Sequence, residues 1–191
     1  MPESVINTEH MRPFIVTVAP GYKQKIDYAK IQTARVSAMM FFAGELYDAS
    51  HIKQKVYANP NLAAQVQGCN DAGMPYALYV NVRARTEIEA DEECKVLYYV
   101  LAQYPPKLGI WLSIQTGVSP ETTNKIIEVY YRYITKWGLK ARCGIYVTPT
   151  QLQSFTWNSF KDRFYLWQID PMDVTKVDDE LLQPEMFEVP D

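Results

Sequence analysis

Short apolar, β-branched runs alternate along this chain with longer segments whose apolar residues recur at helical spacing. The short runs predict strands over Phe14–Ala19, Val36–Phe42, Pro75–Val82, Gly109–Ile114, Cys143–Val147 and Phe164–Ile169. The longer segments predict helices over Asp27–Arg35, Asn59–Gly73, Thr86–Gln103 and Ser119–Gly138. Such alternation is typical of a parallel sheet with helices outside it. By itself it fits an open doubly wound sheet as well as a barrel.

Local signals mark where three of these helices begin. Asn59 and Ser119 each precede a proline, which favours an N-cap followed by proline at the first helical position. Thr86 stands three residues before Glu89, which is the spacing of a capping box. We therefore expect helices to start at these three positions.

Length and composition fit one compact domain. The chain has 191 residues, of which 48% are hydrophobic and 13% aromatic, and this excludes a disordered protein. The net charge of −3 is too small to indicate a polyanion-binding protein. Residues 170–191 carry eight acids and one lysine, a net charge of −7, which leaves a mildly basic +4 on residues 1–169.

The sequence offers no sign of a cofactor, a metal site, nucleic-acid binding or a membrane span. Cys69, Cys94 and Cys143 lie far apart without metal-ligand spacing, so we expect small buried side chains of a protein made in a reducing compartment. The first ten residues lack the basic and apolar regions of a signal peptide. We therefore expect synthesis in the cytoplasm without export through a signal peptide.

The segment Gly109–Gln115 predicts a buried strand with two polar residues near its end. Ser113 and Gln115 are two residues apart, so they share one face of the strand. Neither side chain titrates near neutral pH, although their sizes are close to those of aspartate and glutamate.

Several further segments match, in order and spacing, the motifs of one enzyme family. The matching segments are Ile26–Gly44, Asn61–Ala84, Glu87–Leu101, Gly109–Gly117, Gly144–Val147 and Leu166–Gln168. Together they resemble glycoside hydrolase family 25, the lysozymes or N-acetylmuramidases common among phage endolysins. The resemblance spans most of residues 14–170. It implies an irregular TIM-like (β/α) barrel with about five βα units followed by closing strands.

The departures from the family fall on its chemistry. Thr17 stands where the resemblance implies an aspartate in the first strand, and Ser113 and Gln115 stand where it implies an aspartate and a glutamate. That glutamate is the proposed general acid of the family. A glycosidase needs one carboxyl group to donate a proton and a second to act as base or nucleophile. We therefore interpret the site as one that has lost its catalytic acids.

In a barrel of parallel strands, functional side chains gather where the strands end. The candidates for this mouth and its groove, besides Thr17, Ser113 and Gln115, are Glu45, Tyr79, Asn81, Trp111, Tyr146 and Asp170. Trp111 is more typical of a core residue than of a sugar platform. Glu45 follows Ala-Gly at what reads as a loop position, and Arg83 is expected to be solvated.

Three functional hypotheses follow. The first is a lysozyme-like pseudoenzyme, kept as a glycan-binding or structural component of a phage particle or phage-derived assembly. The second is an active muramidase that uses displaced acids such as Glu45 and Asp170. The third is a different enzyme on the same scaffold. Under the first hypothesis the partners are cell-wall glycan and other subunits, and the protein is virion-associated or released by lysis.

The expected domain organisation has three parts. Residues 1–13 form an N-terminal extension, residues 14–170 the barrel domain and residues 171–191 an acidic C-terminal segment. The acidic segment carries isolated apolar residues, so it either closes the barrel as a strand or packs as an assembly arm.

Overall fold

The computed structural model describes residues 14–18, 26–34, 36–47, 55–168 and 185–188. Its strands are β1 (Phe14–Val18), β2 (Val36–Tyr47), β3 (Lys55–Ala58), β4 (Tyr76–Val82), β5 (Ile110–Ile114), β6 (Cys143–Val147), β7 (Tyr165–Gln168) and β8 (Glu185–Glu188). Its helices are α1 (Tyr28–Thr33), α2 (Leu62–Asp71), α3 (Glu87–Gln103), α4 (Pro120–Lys136) and α5 (Pro149–Leu152).

Six parallel strands form a curled sheet in the order β7-β6-β5-β4-β2-β1. Two antiparallel strands extend it: β8 pairs with β1, and β3 pairs with β2. The curled sheet makes a half-barrel of α/β type, and this confirms the fold class predicted from the sequence. Of the acidic segment 171–191, the structure describes only Glu185–Glu188, so the choice between closing strand and assembly arm stays a prediction.

Two of the three predicted helix starts are confirmed. Ser119 accepts a hydrogen bond from the backbone N–H of Thr122, with Pro120 following it, and Thr86 accepts one from Glu89 N. The Glu89 carboxylate accepts from Arg85 N instead of completing the capping box on Thr86.

The predicted start of α2 at Asn59 is wrong by a few residues. The Asn59 amide donates to the carbonyl of Phe42 and to Gln65 Oε1, while its oxygen accepts from Asn61 N. This side chain therefore ties the segment to β2, and α2 begins only at Leu62.

Buried side chains form one cluster on each face of the sheet. The helix-covered cluster is the larger and packs outward-facing strand residues such as Leu78, Val80 and Leu112 against the helices. The concave cluster consists of Ile15, Ala38, Met40, Phe42, Ala77, Tyr79, Tyr146 and Trp167, with Trp111 packed against it. All three cysteines are buried, as expected, and form no disulfide with one another, and burial raises the pKa of each thiol. Within the described ranges no helix has the length and apolarity needed to cross a membrane.

Candidate functional site

The carboxyl ends of three neighbouring strands bring polar residues into one row. Glu45 of β2 lies opposite Asn81 of β4, and Asn81 lies opposite Ser113 of β5. Ser113 in turn lies opposite Tyr146 of β6. Paired residues on adjacent strands share a face, so the row runs along the end of the concave face where the sequence predicts the barrel mouth.

A β-bulge puts Glu45 into this row. Phe42 pairs with Tyr79, but the next pair is Gly44 with Val80, so β2 contains one extra residue at this point. Strict alternation would place Phe42 and Glu45 on opposite faces, and the extra residue returns Glu45 to the concave face. The prediction of a loop at Glu45 is therefore wrong, because this residue lies within β2.

Hydrogen bonds join the row into one unit, which we call the mouth cluster: Glu45, Asn81, Arg83, Ser113 and Gln115. Gln115 Nε2 donates to Asn81 Oδ1 at 3.1 Å and to Ser113 Oγ at 3.2 Å. Asn81 Nδ2 donates to Glu45 Oε2 at 2.8 Å. Arg83 Nε forms an ion pair with the same Glu45 oxygen at 3.1 Å. The cluster thus grades from buried Ser113 and Asn81 to exposed Gln115 and Arg83.

The mouth cluster is equipped to form hydrogen bonds, with Glu45 as its one carboxylate. The contacted Glu45 oxygen accepts from an amide and from a guanidinium, so it is already engaged as an acceptor. Serine, asparagine and glutamine side chains can donate and accept hydrogen bonds, but they do not ionise near neutral pH. This arrangement can orient a polar ligand.

An aromatic layer lies beneath the mouth cluster. Tyr79 contacts Phe42 and Tyr146 with ring centroids 5.5 and 5.6 Å apart, and Trp167 stands edge-on to Trp111 at 5.1 Å. Tyr79 and Tyr146 are buried, and Trp111 is half-buried where it packs against the concave cluster. Gly144 makes room for Trp111, because a Cβ there would lie 2.2 Å from its ring.

Of the described candidate residues, Thr17 lies apart from the mouth cluster. Thr17 shares the concave face of β1 with Ile15, and β2 separates its strand from that of Asn81. Its hydroxyl is buried and forms no hydrogen bond within the described part of the chain. Asp170 lies outside the described residues.

The sequence prediction missed two features of this region. Arg83 is exposed, as expected, but it also forms an ion pair with Glu45 that the sequence analysis did not predict. Buried Glu93 of α3 was not singled out. Glu93 lies three residues after Ala90 and four before Leu97, next to Cys94. This spacing puts it on the buried face of the helix.

Comparison with known proteins places the fold. No protein-family model and no curated protein matches the chain. The muramidase from Acremonium alcalophilum superposes with a TM-score of 0.63 at 16% identity, over 90% of this chain and 83% of that one. The virulence factor GHIP of Streptococcus pneumoniae, a glycosyl hydrolase 25, matches with a TM-score of 0.65 at 18% identity, over 87% and 75%.

A third similar structure is the modular autolysin LytC from Streptococcus pneumoniae, in complex with a synthetic peptidoglycan ligand. It matches with a TM-score of 0.60 at 21% identity, over 74% of this chain but only 34% of LytC. The chain thus spans about a third of the length of LytC. The half-barrel has the fold of the glycoside hydrolase family 25 lysozymes, which confirms the fold that the sequence resemblance implied.

Proposed function

We propose that this protein is a lysozyme-like glycan-binding protein without peptidoglycan hydrolase activity, and that it serves as a binding or structural component of a phage particle or phage-derived assembly. The observation that carries the proposal is the composition of the mouth cluster. Amides and a hydroxyl occupy it together with a single carboxylate, and that carboxylate is paired with Arg83.

Hydrolysis of a glycosidic bond needs more than this cluster offers. A positioned general acid alone contributes roughly 10²- to 10⁴-fold to the rate, and a second carboxylate must act as base or nucleophile. Ser113 and Gln115 occupy the strand end that the family resemblance assigns to this pair. Loss of both acids would reduce the rate by more than loss of either alone.

Binding of a sugar requires no catalytic carboxyl groups, and the residues of the mouth cluster are suited to it. Ligand sites combine apolar or aromatic walls with a few placed polar groups. Here Trp111, Tyr79 and Tyr146 lie beneath hydroxyl and amide groups that can meet the hydroxyl and acetamido groups of a glycan. The synthetic peptidoglycan in the LytC complex supports cell-wall glycan as the ligand class.

Two measurements on the same protein test this proposal. Sedimentation with purified peptidoglycan measures binding, and release of reducing ends measures hydrolysis. We expect binding without release. Asn81→Ala should weaken binding about tenfold or more, because it removes the amide that joins Glu45 to Gln115. The matched control is Asn124→Ala on α4, whose amide exchanges hydrogen bonds with Thr156 and belongs to no contact of the mouth cluster described above.

Either half of the proposal can fail separately. Release of reducing ends at the rate of an active lysozyme would establish the alternative, an active muramidase with displaced acids. Glu45→Gln and Asp170→Asn would then identify those acids. Absence of any sedimentation with peptidoglycan would reject the glycan-binding half.

The assembly role rests on the acidic C-terminal segment. Leu181, Leu182, Met186 and Phe187 are apolar residues among acids, and burying each contributes roughly 1.5–3 kcal/mol. Deletion of residues 176–191 tests what they pack against. A folded monomer that has lost an oligomer or partner supports an assembly arm, whereas an unfolded product means that the segment completes the barrel.

A further inference from the structure

A buried carboxylate lies behind the mouth cluster, on the helix-covered face of the sheet. Glu93 of α3 is 6% exposed, and its Oε2 accepts a hydrogen bond from the hydroxyl of fully buried Tyr130 of α4. Its other oxygen, Oε1, has no hydrogen-bond partner among the described residues. Burial of a carboxylate in an apolar layer is costly unless its surroundings compensate the charge.

The turn between β4 and α3 supplies that compensation. The backbone N–H groups of Arg83 and Ala84 face the Glu93 carboxylate and favour its charged form. These are the first two residues after β4, and the side chain of Arg83 holds Glu45. A continuous series of polar contacts therefore runs from Tyr130 through Glu93 and the turn to Glu45, Asn81 and Gln115.

A cavity joins the same two regions. Its volume is about 20 Å³, and its lining includes Gly44, Glu45 and Asn81 from the sheet and Glu93 and Tyr130 from the helices. The β2 bulge at Gly44 thus borders both the mouth cluster and the buried carboxylate. Close packing around so small a cavity transmits a change at Glu93 to the strands that carry Glu45 and Asn81.

Glu93 is also poised to change charge. Burial raises its pKa to about 7, with nearby Glu89 raising it further, while the Tyr130 hydroxyl and the two N–H groups act in the opposite direction. The titratable or charged residues around it are Cys94 and Glu89 of α3, Tyr130 of α4, Arg83 of the turn and Glu45 across the cavity.

We propose that Glu93 is a positioning residue for the mouth cluster, and that its charged form fixes the turn that carries Arg83 and thereby Glu45. A charged acceptor binds N–H groups about twice as strongly as a neutral one. Protonation of Glu93 therefore loosens the turn, and its ionisation tightens it. The coupling rests on the burial of Glu93, its hydrogen bond with Tyr130 and the cavity that it shares with Glu45 and Asn81, whereas its effect on glycan affinity rests on the proposed function.

The first test follows the coupling without any ligand. In a ¹⁵N NMR titration from pH 5 to 9, the backbone N–H groups of Arg83 and Ala84 and the Arg83 Nε–H should shift together, with a midpoint near 7. Glu93→Gln should abolish this transition. Glu92→Gln, at the preceding position of α3, should retain it. If Glu93→Gln does not fold, the Glu93 carboxyl ¹³C signal of the unaltered protein gives the same midpoint directly.

The second test adds purified peptidoglycan. Affinity should rise roughly threefold to tenfold between pH 6 and 8, the gain expected when the acceptor of one hydrogen bond becomes charged, and should be independent of pH over this interval in Glu93→Gln. The coupling is overturned if the N–H signals of Arg83 and Ala84 do not titrate, or if they titrate identically in Glu93→Gln. Titrating signals without peptidoglycan binding leave the coupling established and reject the proposed function instead.

Discussion

The concave and the helix-covered faces of the sheet hold their polar groups in opposite ways. In the mouth cluster on the concave face, amides and a hydroxyl accompany one carboxylate that is paired with Arg83. On the helix-covered face, which is lined mainly by apolar side chains, Glu93 is buried against Tyr130. Strand β4 carries both patterns, with Leu78 and Val80 facing the helices and Tyr79 and Asn81 facing the concave side.

The contrast shows that different side chains determine the fold and the candidate site. Most of the buried apolar side chains lie on the helix-covered face, where they hold strands and helices together, and no residue of the mouth cluster is among them. The concave face can therefore exchange acids for amides without loss of the scaffold. Fold and activity are independent in this sense.

The largest expected effect tests whether the concave face is a packed layer. Trp167→Ala should lower the free energy of unfolding by about 3–5 kcal/mol, because Trp167 is fully buried against Trp111 and Tyr146. Tyr165→Ala is the matched control, since Tyr165 lies two residues earlier on β7 but is 66% exposed. Chemical denaturation of both variants measures the difference. Equal effects would mean that the concave side is an open surface.

The next prediction concerns the buried carboxylate. Because the pKa of Glu93 is raised from 4.5 to about 7, the folded protein binds this proton more tightly than the unfolded chain. Its stabilisation is full below pH 4.5 and is lost progressively as the pH rises to about 7. Relative to Glu93→Gln, the protein should therefore lose about 3 kcal/mol between pH 4.5 and 8.

Urea denaturation of the unaltered protein and of Glu93→Gln across this pH range makes the measurement. Glu92→Gln controls for removal of an acid from the same helix, since Glu92 pairs with Lys95 at the surface. Parallel stability curves for the unaltered protein and Glu93→Gln would contradict a buried, proton-binding Glu93.

A smaller loss of stability is expected when an acid replaces an amide of the mouth cluster. Gln115→Glu loses the hydrogen bonds to Asn81 and Ser113 and adds a negative charge to the cluster that contains Glu45. We expect a loss of about 1–2 kcal/mol at pH 7 and less at pH 4, where the new acid is protonated. Gln115→Ala, which removes the same bonds without adding charge, should cost the same at both pH values. A pH-independent cost for Gln115→Glu would show that the cluster tolerates a second carboxylate.

The sequence carried the signals for the scaffold and for part of the site. Helices α3 and α4 were predicted from their caps, which are local chemistry at Thr86 and Ser119. Ser113, Gln115 and Asn81 were grouped correctly at the strand ends, because parallel strands of one sheet finish at the same edge.

The Glu45–Arg83 pair could not be predicted in the same way. It depends on the register between β2 and β4, and the extra residue between Phe42 and Gly44 sets that register. Strand β2 was predicted to end at Phe42 for the same reason, since neither the bulge nor the pairing of β3 has a local signal. Contacts between distant segments decide these features, and spacing along the chain does not report them.

The smallest expected effect distinguishes the mouth ion pair from an ordinary surface pair. Glu45 is only 15% exposed in its pair with Arg83, whereas Lys125 and Glu121 of α4 are 57% and 81% exposed. Arg83→Gln should cost about 0.2–1 kcal/mol of stability at low salt, and part of this cost should persist in 1 M salt, because a partly buried pair is screened less. Lys125→Gln should change nothing measurable at either salt concentration. Denaturation curves at both salt concentrations give the comparison, and equal salt sensitivity of the two variants would place the Glu45 pair among surface contacts, with no special part in shaping the mouth.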